Sequence, residues 1–260
     1  MLLKDKVLII TGIGPGMGTK LAQIAAAEGA RIAICARSED RLTEVADGIK
    51  AQGGEVIAVP TDISDRAACD RLVDETVKAY GRVDGLVNSA YKHIGFAPFE
   101  KADLNAWRDC MNVTFFGTME MTQAVIPAMK DNGGGAVVNI NTMAVKKPMP
   151  GEGGYAAAKS AIAGATRTLA KELGRYNIRI NSTFMGWLWG APVQGYVKHA
   201  AKSQGVAEEE IIKGITRNIP LGVVPPDEEC AKTVLMFVSD YTKMVTGASL
   251  DVNGGEHMSS

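Results

Sequence analysis

The stretch VLIITGIGPGMG, residues 7–18, constrains the fold of this chain more than any other. Its apolar start, Val7 to Ile10, is typical of a buried parallel strand, and an alanine-rich helical stretch from Thr19 to Glu28 follows the glycines. Glycines between a strand and a helix let the backbone approach a pyrophosphate, which the free N–H groups and dipole of the helix N-terminus attract. The stretch therefore predicts a dinucleotide site, against the alternative of a glycine-rich turn without a ligand.

The glycines are spaced Gly12-x-x-x-Gly16-x-Gly18 rather than in the more common G-x-G-x-x-G pattern. The order of strand, glycine turn and helix is nevertheless the context in which such glycines bind nucleotides. We predict cofactor contacts from Gly12, Gly14, Gly16, Met17 and Gly18.

Beyond this turn, apolar strand-like segments alternate with helical patterns along the chain. Such alternation predicts right-handed βαβ units and therefore an α/β Rossmann fold, a doubly wound parallel sheet with helices on both faces. No long linker or internal repeat interrupts the pattern, so we predict a single domain over residues 1–260. The predicted strands are Val7–Thr11, Arg31–Ala36, Glu55–Pro60, Gly85–Asn88, Gly135–Asn139, Ile178–Ser182 and Ser249–Val252, and the predicted helices include Glu39–Gln52, Asp65–Tyr80, Leu104–Met129, Tyr155–Tyr176 and Asp227–Val238.

Residues 186–226 do not follow the alternation. A long insertion in a compact α/β domain is usually functional, so we predict a substrate-covering lobe at about 186–226. The alternative is a structural excursion that packs on a neighbouring subunit.

Composition and charge argue against several classes of protein. The formal net charge is −1, which gives no electrostatic reason to bind nucleic acid or an anionic membrane. Lys4, Asp5 and Lys6 interrupt the N-terminus, which does not match a signal peptide, and no apolar run approaches membrane-spanning length. The 4 cysteines are scattered, as in a reduced cytoplasmic protein, and the 3 histidines lack metal-ligand spacing. We therefore predict a cytoplasmic location and no metal.

Tyr155 and Lys159 are the strongest candidates for catalysis. A spacing of four residues places the phenol and the ammonium one turn apart on the same face of a helix. A neighbouring cation favours the phenolate and lowers the pKa of the tyrosine, which lets it exchange a proton near neutral pH. Surface pairs share this spacing, but here the pair follows a dinucleotide signature.

Together these motifs resemble the short-chain dehydrogenase/reductase family, in its branch of ketoreductases and alcohol dehydrogenases. The resemblance covers nearly the whole chain. It rests on Thr11-Gly12-x-x-x-Gly16-x-Gly18, Asp62, Asn88-Ser89-Ala90, Asn112, Tyr155-x-x-x-Lys159, Asn181 and Asp251-Val252-Asn253-Gly254-Gly255.

The resemblance implies a seven-stranded doubly wound sheet and hydride transfer between a nicotinamide cofactor and a ketone or secondary alcohol. It implies that Tyr155 is the general acid in reduction and the general base in oxidation, while Lys159 lowers the pKa of Tyr155 and binds the nicotinamide ribose. Asn112 matches the asparagine that holds a water in the proton relay. Thr142 stands thirteen residues before the tyrosine, at the position of the substrate-orienting serine, and keeps the hydroxyl.

Further cofactor contacts are implied at the ends of later strands. Asp62 matches the carboxylate that meets the adenine amino group, and Asn88 and Ala90 match the loop that flanks the cofactor. The implied contacts outside the glycine turn are Arg37, Ser38, Asp62, Ile63, Asn88, Ala90, Tyr155, Lys159 and Gly186.

Three positions depart from the family pattern. Tyr91 replaces a glycine beside the cofactor, Met185 replaces a proline after the sixth strand, and Gly190 stands where a threonine often meets the carboxamide. We expect Tyr91 to reshape the pocket wall and backbone groups to replace the threonine.

The end of the second strand bears on the choice of cofactor. An acidic residue there would bind the ribose 2′-hydroxyl and favour NAD(H). This strand ends in Ala36-Arg37, and the arginine can offer a fork of donors to a 2′-phosphate. We predict that NADP(H) is favoured, with NAD(H) as the alternative cofactor and a solvated surface charge as the alternative role of Arg37.

The substrate residues implied by the resemblance are apolar and aromatic. Met143, Trp187, Trp189 and Tyr196 fall where family members build the substrate pocket, which suggests an apolar, fairly bulky ketone or secondary alcohol. Core or subunit packing is the alternative role of these side chains.

Two other functions remain open, a 3-oxoacyl thioester reductase and a non-catalytic nucleotide-sensing regulator on the same fold. Family members commonly form dimers or tetramers through the helices that bear Asn112 and Tyr155, so a homo-oligomer, in particular a homotetramer, is expected.

Overall fold

The computed structural model describes residues 1–259, and its centre is a parallel sheet of seven strands. They run in the order β3-β2-β1-β4-β5-β6-β7, which confirms the predicted doubly wound Rossmann sheet. The strands are β1 (Val7–Thr11), β2 (Arg31–Ala36), β3 (Val56–Pro60), β4 (Gly85–Asn88), β5 (Gly135–Thr142), β6 (Ile178–Met185) and β7 (Ser249–Val252).

The strand order reverses at β1, which pairs with β2 on one side and with β4 on the other. Connections leave the two halves of the sheet in opposite directions here, so a crevice opens beyond the carboxyl ends of these strands. The glycine turn after β1 lies at this crevice. The topology therefore places the predicted dinucleotide site where doubly wound sheets bind their ligands.

Helices cover both faces of the sheet. None of them, within residues 1–259, is long and apolar enough to cross a membrane. The α-helices are α1 (Met17–Ala27), α2 (Glu39–Ala51), α3 (Arg66–Tyr80), α4 (Leu104–Met111), α5 (Gly117–Asp131), α6 (Gly153–Leu173), α7 (Ala191–Gln204), α8 (Glu208–Thr216) and α9 (Asp227–Met236).

Side chains that alternate along the strands build one apolar core on each face. Leu8 and Ile10 of β1 pack in a cluster with residues of α1, α2 and α9. Ile9, between them, packs in the other cluster with residues of α3, α5 and α6. All three side chains are 0% exposed, because a parallel strand covered by helices on both faces is buried on both faces.

The single helix predicted over Leu104–Met129 is interrupted. A π-helical turn, Asn112–Phe116, separates α4 from α5. Inside this turn the Thr114 hydroxyl accepts a hydrogen bond from the Lys92 N–H at 3.0 Å. Such turns change which side chains face the neighbouring structure, and they occur often at functional sites.

Strands β5 and β6 run further than predicted, to Thr142 and Met185 instead of Asn139 and Ser182. The prediction ended where polar residues begin, but buried hydrogen bonds let those residues continue the strand. The Asn141 amide, for example, donates to the Lys159 carbonyl at 3.0 Å. The additional residues of the two strands pair with each other, and the last pair, Thr142 with Met185, lies at the edge of the crevice.

Candidate active site

A cleft with a cavity volume of about 790 Å³ opens at the carboxyl ends of β1, β5 and β6. This volume suits a small molecule or part of a dinucleotide. Its wall combines the glycine turn, the end of β5, the start of α6 and the segment that follows β6. The lining includes the predicted residues Gly12, Gly14, Gly16, Met17, Gly18, Thr142, Met143, Tyr155, Lys159, Gly186, Trp187 and Tyr196.

The glycine turn has the shape of a phosphate cradle. Gly12 has a φ of +76°, and a Cβ there would lie 2.5 Å from the backbone of Ala90. A Cβ on Gly14 would meet no atom within 4 Å, so that backbone is open to a ligand. Helix α1 begins after Gly16 without a side-chain cap and without an acidic residue in its first turn. These free N–H groups and the missing side chains fit a pyrophosphate.

Lys159 is buried one helical turn beyond Tyr155. Its Nζ donates to the Ile140 carbonyl at 2.6 Å and lies 5.9 Å from the centre of the Tyr155 ring. Burial disfavours the charged amine and lowers the pKa of Lys159 to about 8. The carbonyl of Ile140 therefore holds the amine in place, beside the cleft rather than against the phenol.

Tyr155 is partly open to the cleft, and burial of the rest of the ring raises the pKa of its phenol well above the usual range. Tyr91, Glu152 and Cys110 raise that pKa further, and a hydrogen bond with Thr142 acts against them. In this arrangement burial outweighs the effect of Lys159 on the pKa of Tyr155, in contrast to the sequence-based expectation of a lowered pKa. A phenol with a raised pKa keeps its proton at neutral pH and releases it less readily, so proton transfer from Tyr155 needs a group that stabilises the phenolate.

The lowered pKa of Lys159 leads to a prediction for the pH dependence of ketone reduction. The amine is charged below about pH 8 and neutral above it. We expect kcat/KM to be constant below that pH and to fall above it, since a neutral amine cannot stabilise the phenolate left on Tyr155. The pH profile of kcat/KM for an uncharged ketone measures this. In Lys159→Arg, which stays charged, the fall should be absent, and an unchanged fall in that variant would contradict the assignment.

The prediction that Asn112 belongs to the catalytic site is corrected by the structure, because Asn112 lies outside the cleft. Its side chain is exposed and borders a separate shallow depression formed with Trp107, Arg108 and Phe116. Residues two apart on a helix face nearly opposite sides, so the neighbour that points inward is the buried Thr114. The proposed relay role therefore does not fit Asn112.

Cys110 and Thr114 occupy the inward face that sequence reasoning assigned to Asn112. The buried Cys110 thiol donates to the Lys92 carbonyl at 3.0 Å and lies 3.8 Å from the Thr114 hydroxyl. Burial raises the pKa of this thiol, while Thr114, Lys159 and Lys92 act to lower it. A signal for this face was present in the sequence. Positions 110, 114, 118 and 122 are spaced by four, and all are buried.

The strand ends place the other predicted cofactor residues around the crevice, outside the cleft lining. Arg37 and Ser38 are exposed after β2, where the Ser38 hydroxyl accepts from the Arg41 N–H at 3.4 Å. Asp62 accepts from both the N–H and the hydroxyl of Ser64, and these bonds, together with the charge of Arg37, lower the pKa of Asp62. The pair Arg37 and Asp62 thus lies at the mouth of the crevice.

Three predicted cofactor residues are tied into the protein itself. Ile63 is 5% exposed and packs in the core, so it has only backbone groups to offer a ligand. The Asn88 amide donates to Thr122 at 3.0 Å and to Asn139 at 2.9 Å. Ala90 donates its N–H to the Thr11 hydroxyl at 3.2 Å and supports the glycine turn.

Most predicted substrate residues line the cleft. The rings of Trp187 and Tyr196 lie 5.6 Å apart, and Met143 faces them from the end of β5. The prediction that Trp189 contacts the substrate is corrected, because Trp189 is not part of the cleft lining. Its backbone N–H donates to the Pro225 carbonyl at 2.8 Å. Local spacing could not separate two tryptophans that lie only two residues apart.

At two of the positions that depart from the family pattern, Tyr91 and Gly190, the structure shows contacts that the sequence did not indicate. Tyr91 lies in the cleft with its ring 5.8 Å from that of Tyr155. The carboxylate of Asp227 occupies the space that a side chain at Gly190 would need, since a Cβ there would be 2.8 Å from the Asp227 Cγ. Burial raises the pKa of this carboxyl group.

A sheet of this topology with a glycine cradle at its reversal defines a dinucleotide-binding protein. The proton-bearing tyrosine in the same cleft narrows the class to dinucleotide-dependent oxidoreductases. Comparison with known proteins agrees, since a family profile described as short chain dehydrogenase matches residues 6–199.

Individual relatives extend the match to the full chain. A trans-4-hydroxycyclohexanecarboxylate dehydrogenase of Sinomonas cyclohexanicum is 33% identical over 258 residues, covering 97% of this chain and 93% of that protein. A granaticin polyketide synthase putative ketoacyl reductase of Streptomyces violaceoruber is 33% identical and covers 96% and 92%. The crystal structure of levodione reductase superposes with a TM-score of 0.89 at 30% identity and covers 98% of both chains.

The chain therefore belongs to the short-chain dehydrogenase family. It is an oxidoreductase that transfers a hydride between NAD(P) and a carbonyl or alcohol group.

Proposed function

We propose that the protein is an NADP(H)-favouring reductase of apolar, fairly bulky ketones, able to act in reverse on the matching secondary alcohols. The observation that carries this proposal is the position of Tyr155, whose phenol opens on the same cleft as Thr142 and lies one helical turn from Lys159. A phenol in this position can donate its proton to a carbonyl oxygen in reduction and can accept the proton of an alcohol in oxidation when it is ionised.

The residues of the chain have distinct parts in this proposal. The bound nicotinamide would supply the hydride that the ketone carbon accepts. The Thr142 hydroxyl donates to the carbonyl oxygen and holds it beside Tyr155, which releases its phenolic proton to that oxygen as negative charge develops. Lys159 stabilises the phenolate that remains, from a position set by its 2.6 Å bond to the Ile140 carbonyl.

Arg37 is the basis for proposing NADP(H). It is exposed beyond β2, and it is close enough to Asp62 to lower the pKa of that carboxyl. An exposed guanidinium at this strand end can pair with a 2′-phosphate, while Ala36 offers no acceptor to a ribose 2′-hydroxyl.

Arg37→Ala should weaken NADPH binding by about tenfold to a hundredfold, the usual worth of a charge-assisted hydrogen bond. NADH binding should change by less than about twofold, because NADH lacks the phosphate that the guanidinium would meet. Titration of nicotinamide fluorescence with both cofactors measures the two constants. Arg71→Ala, which removes an exposed arginine on α3, is the control. Equal losses for both cofactors would contradict the preference.

We further propose that Asp227 replaces the missing threonine in binding the nicotinamide carboxamide. Its carboxylate lies against Gly190 and lines the cleft beside the glycine turn. Within residues 1–259 no side chain donates a hydrogen bond to it, so an amide N–H of the ligand would supply the donor. This assigns to a side chain what the sequence assigned to backbone groups.

The lobe at about 186–226 is proposed to cover the substrate. Trp187, Tyr196 and the first turn of α7 line the cleft, whereas α8 has no buried residue and lies on the outside. The half of the lobe nearer the sheet thus supplies apolar surface, which supports an apolar substrate.

A 3-oxoacyl thioester reductase is the second candidate, because three relatives are named ketoacyl reductase or 3-oxoacyl-[acyl-carrier-protein] reductase. A phosphopantetheine-linked carrier protein is acidic and would need free cationic groups beside the cleft. Lys146 pairs with Asp251 at 2.6 Å, and Lys147 pairs with Glu256 at 2.8 Å. Both lysines are therefore neutralised, whereas Lys198 and Lys202 on α7 are exposed and form no ion pair within residues 1–259, so they are the cationic groups that a carrier would meet.

The experiment that tests the proposal is a cofactor titration followed by a ketone screen with the cofactor that binds. Tight NADPH binding and turnover of apolar cyclic or aromatic ketones would support it. Binding of a dinucleotide without turnover of any ketone or thioester would move the protein to the nucleotide-sensing alternative.

Assembly and location complete the proposal. The depression between α4 and α6 is lined by Trp107, Met111 and Phe116, and Phe116 is 52% exposed, which supports a homo-oligomer formed through this face. The homotetramer stays a prediction from the family resemblance. The mass in solution tests this. The 4 cysteines are free and buried thiols, as suits a cytoplasmic location.

A further inference from the structure

The cleft contains a hydrogen-bonded pair of polar side chains that neither the reaction nor the apolar pocket accounts for. Glu152 and His93 both line it, and the Glu152 carboxylate accepts from His93 Nε2 at 3.3 Å. Glu152 is 8% exposed, and such deep burial is unusual for a carboxylate. The two residues are 59 positions apart, so only the fold brings them together.

The hydrogen bonds determine the protonation of the pair. The Gly95 N–H donates to His93 Nδ1 at 3.1 Å, so Nδ1 carries a lone pair and Nε2 carries the proton. In this tautomer the imidazole offers Glu152 a hydrogen bond rather than a counter-charge. Within residues 1–259 no lysine or arginine forms an ion pair with Glu152.

The Glu152 side chain also has no structural role that would use both of its oxygens as hydrogen-bond acceptors. Glu152 precedes the first residue of α6, but its side chain does not cap the helix. His93 occupies one oxygen, and the other has no side-chain or backbone donor among the described residues. The second oxygen is not among the fully buried atoms that lack a partner, so it is reached from the cleft, where water or a donor group of a ligand can bind it.

The pair lies beside the reacting group. The His93 ring stands edge-on to the Tyr155 ring at 5.5 Å between centres, and the charge of Glu152 raises the pKa of Tyr155. When the oxygen of a ketone is bound at Tyr155, another group of the same molecule therefore lies next to Glu152.

We propose that Glu152, held by His93, selects ketones that carry a hydrogen-bond donor, a hydroxyl or an ammonium group, a short distance from the carbonyl. This inference rests on the proposed ketone reduction and deepens it by naming the substrate class. The same carboxylate repels ketones that carry an acid, because a like charge held close to it in a partly desolvated cleft is unfavourable. Glu152 and His93 are specificity residues, and Tyr155 performs the proton transfer.

The experiment compares four cyclohexanones that differ only at carbon 4, carrying methyl, hydroxyl, ammonium or carboxylate. In the unmodified protein, kcat/KM for the hydroxyl and ammonium ketones should exceed that of the methyl ketone by about tenfold to a hundredfold. The carboxylate ketone should be the poorest. In Glu152→Gln, the ammonium preference should collapse and the carboxylate ketone should gain, whereas the ratios should stay unchanged in Glu100→Gln, an exposed position outside the cleft.

Binding provides a second measurement that does not need turnover. Trp187 lines the cleft, so its fluorescence follows the binding of 4-aminocyclohexanol and 4-methylcyclohexanol to the protein. Tighter binding of the amino alcohol, lost in Glu152→Gln, supports the inference even if no ketone is reduced, an outcome that would refute only the proposed function. Equal treatment of all four ketones and of both alcohols, or an equal change of all of them in Glu152→Gln, would overturn it.

Discussion

Replacing Tyr155 with phenylalanine is expected to lower kcat for ketone reduction by about a thousandfold, within the range that a general acid contributes. The phenol of Tyr155 lies in the cleft with the Thr142 hydroxyl and has a lysine one helical turn away on the same helix. Phenylalanine keeps the ring contacts with Tyr91 and His93 and removes only the proton donor. Dinucleotide binding should therefore persist while turnover collapses.

The measurement pairs steady-state kinetics with a fluorescence titration of the same preparation. Tyr91→Phe tests whether a second phenol in the cleft can take over, and it should lose far less activity. Tyr241→Phe removes a hydroxyl from a residue that is 85% exposed and should have no effect. Full turnover in Tyr155→Phe would show that the proton comes from elsewhere.

Replacing Gly12 with alanine is the second large effect we expect. Its φ of +76° is strained for any residue with a side chain, and the new Cβ would lie 2.5 Å from the Ala90 backbone, which cannot move as a flexible side chain can. Strain and overpacking together should cost about 3 kcal/mol or more of the free energy of unfolding. That corresponds to a Tm lower by about 6–12 °C for a chain of this size. The displaced turn should also lose dinucleotide binding.

Gly14→Ala is the matched control within the same turn. Its φ is not in the left-handed region, and an added Cβ meets no atom within 4 Å. Thermal unfolding of the two variants without cofactor should therefore differ clearly, with Gly14→Ala close to the unmodified protein. Similar melting temperatures for both variants would mean that the turn relaxes and that the close approach to Ala90 is not required.

Much of the fold could be predicted because its signals are local. The strand at Val7–Thr11 was predicted to the residue, since an apolar run bounded by glycines specifies a buried strand. The ends of β5 and β6 were placed three residues early, because Asn141 is polar by type but satisfied by a buried bond to the Lys159 carbonyl. Whether a polar side chain can continue a strand depends on a partner distant in sequence.

In the candidate site, too, the features set by local sequence could be predicted, and those set by contacts between distant segments could not. The four-residue spacing of Tyr155 and Lys159 indicated a shared helix face, and the structure brings both into one cleft with Thr142. Their catalytic roles stay predictions. Asn112 was assigned by its match to a motif, and the π-turn around it shows that Cys110 and Thr114 face inward instead. Side chains one or two positions apart on a helix point in very different directions. A motif match alone does not tell which of them faces the cleft.

By itself, the sequence determined the order of strands and helices, the glycine cradle and the helix that carries Tyr155, because periodicity and turn chemistry act between neighbours in the chain. The tertiary structure alone decided that burial, rather than Lys159, dominates the pKa of Tyr155. It also decided that Asp227 fills the space beside Gly190 and that His93 meets Glu152. Desolvation and contacts between distant segments depend on distances that exist only once the elements have packed, so no local pattern encodes them.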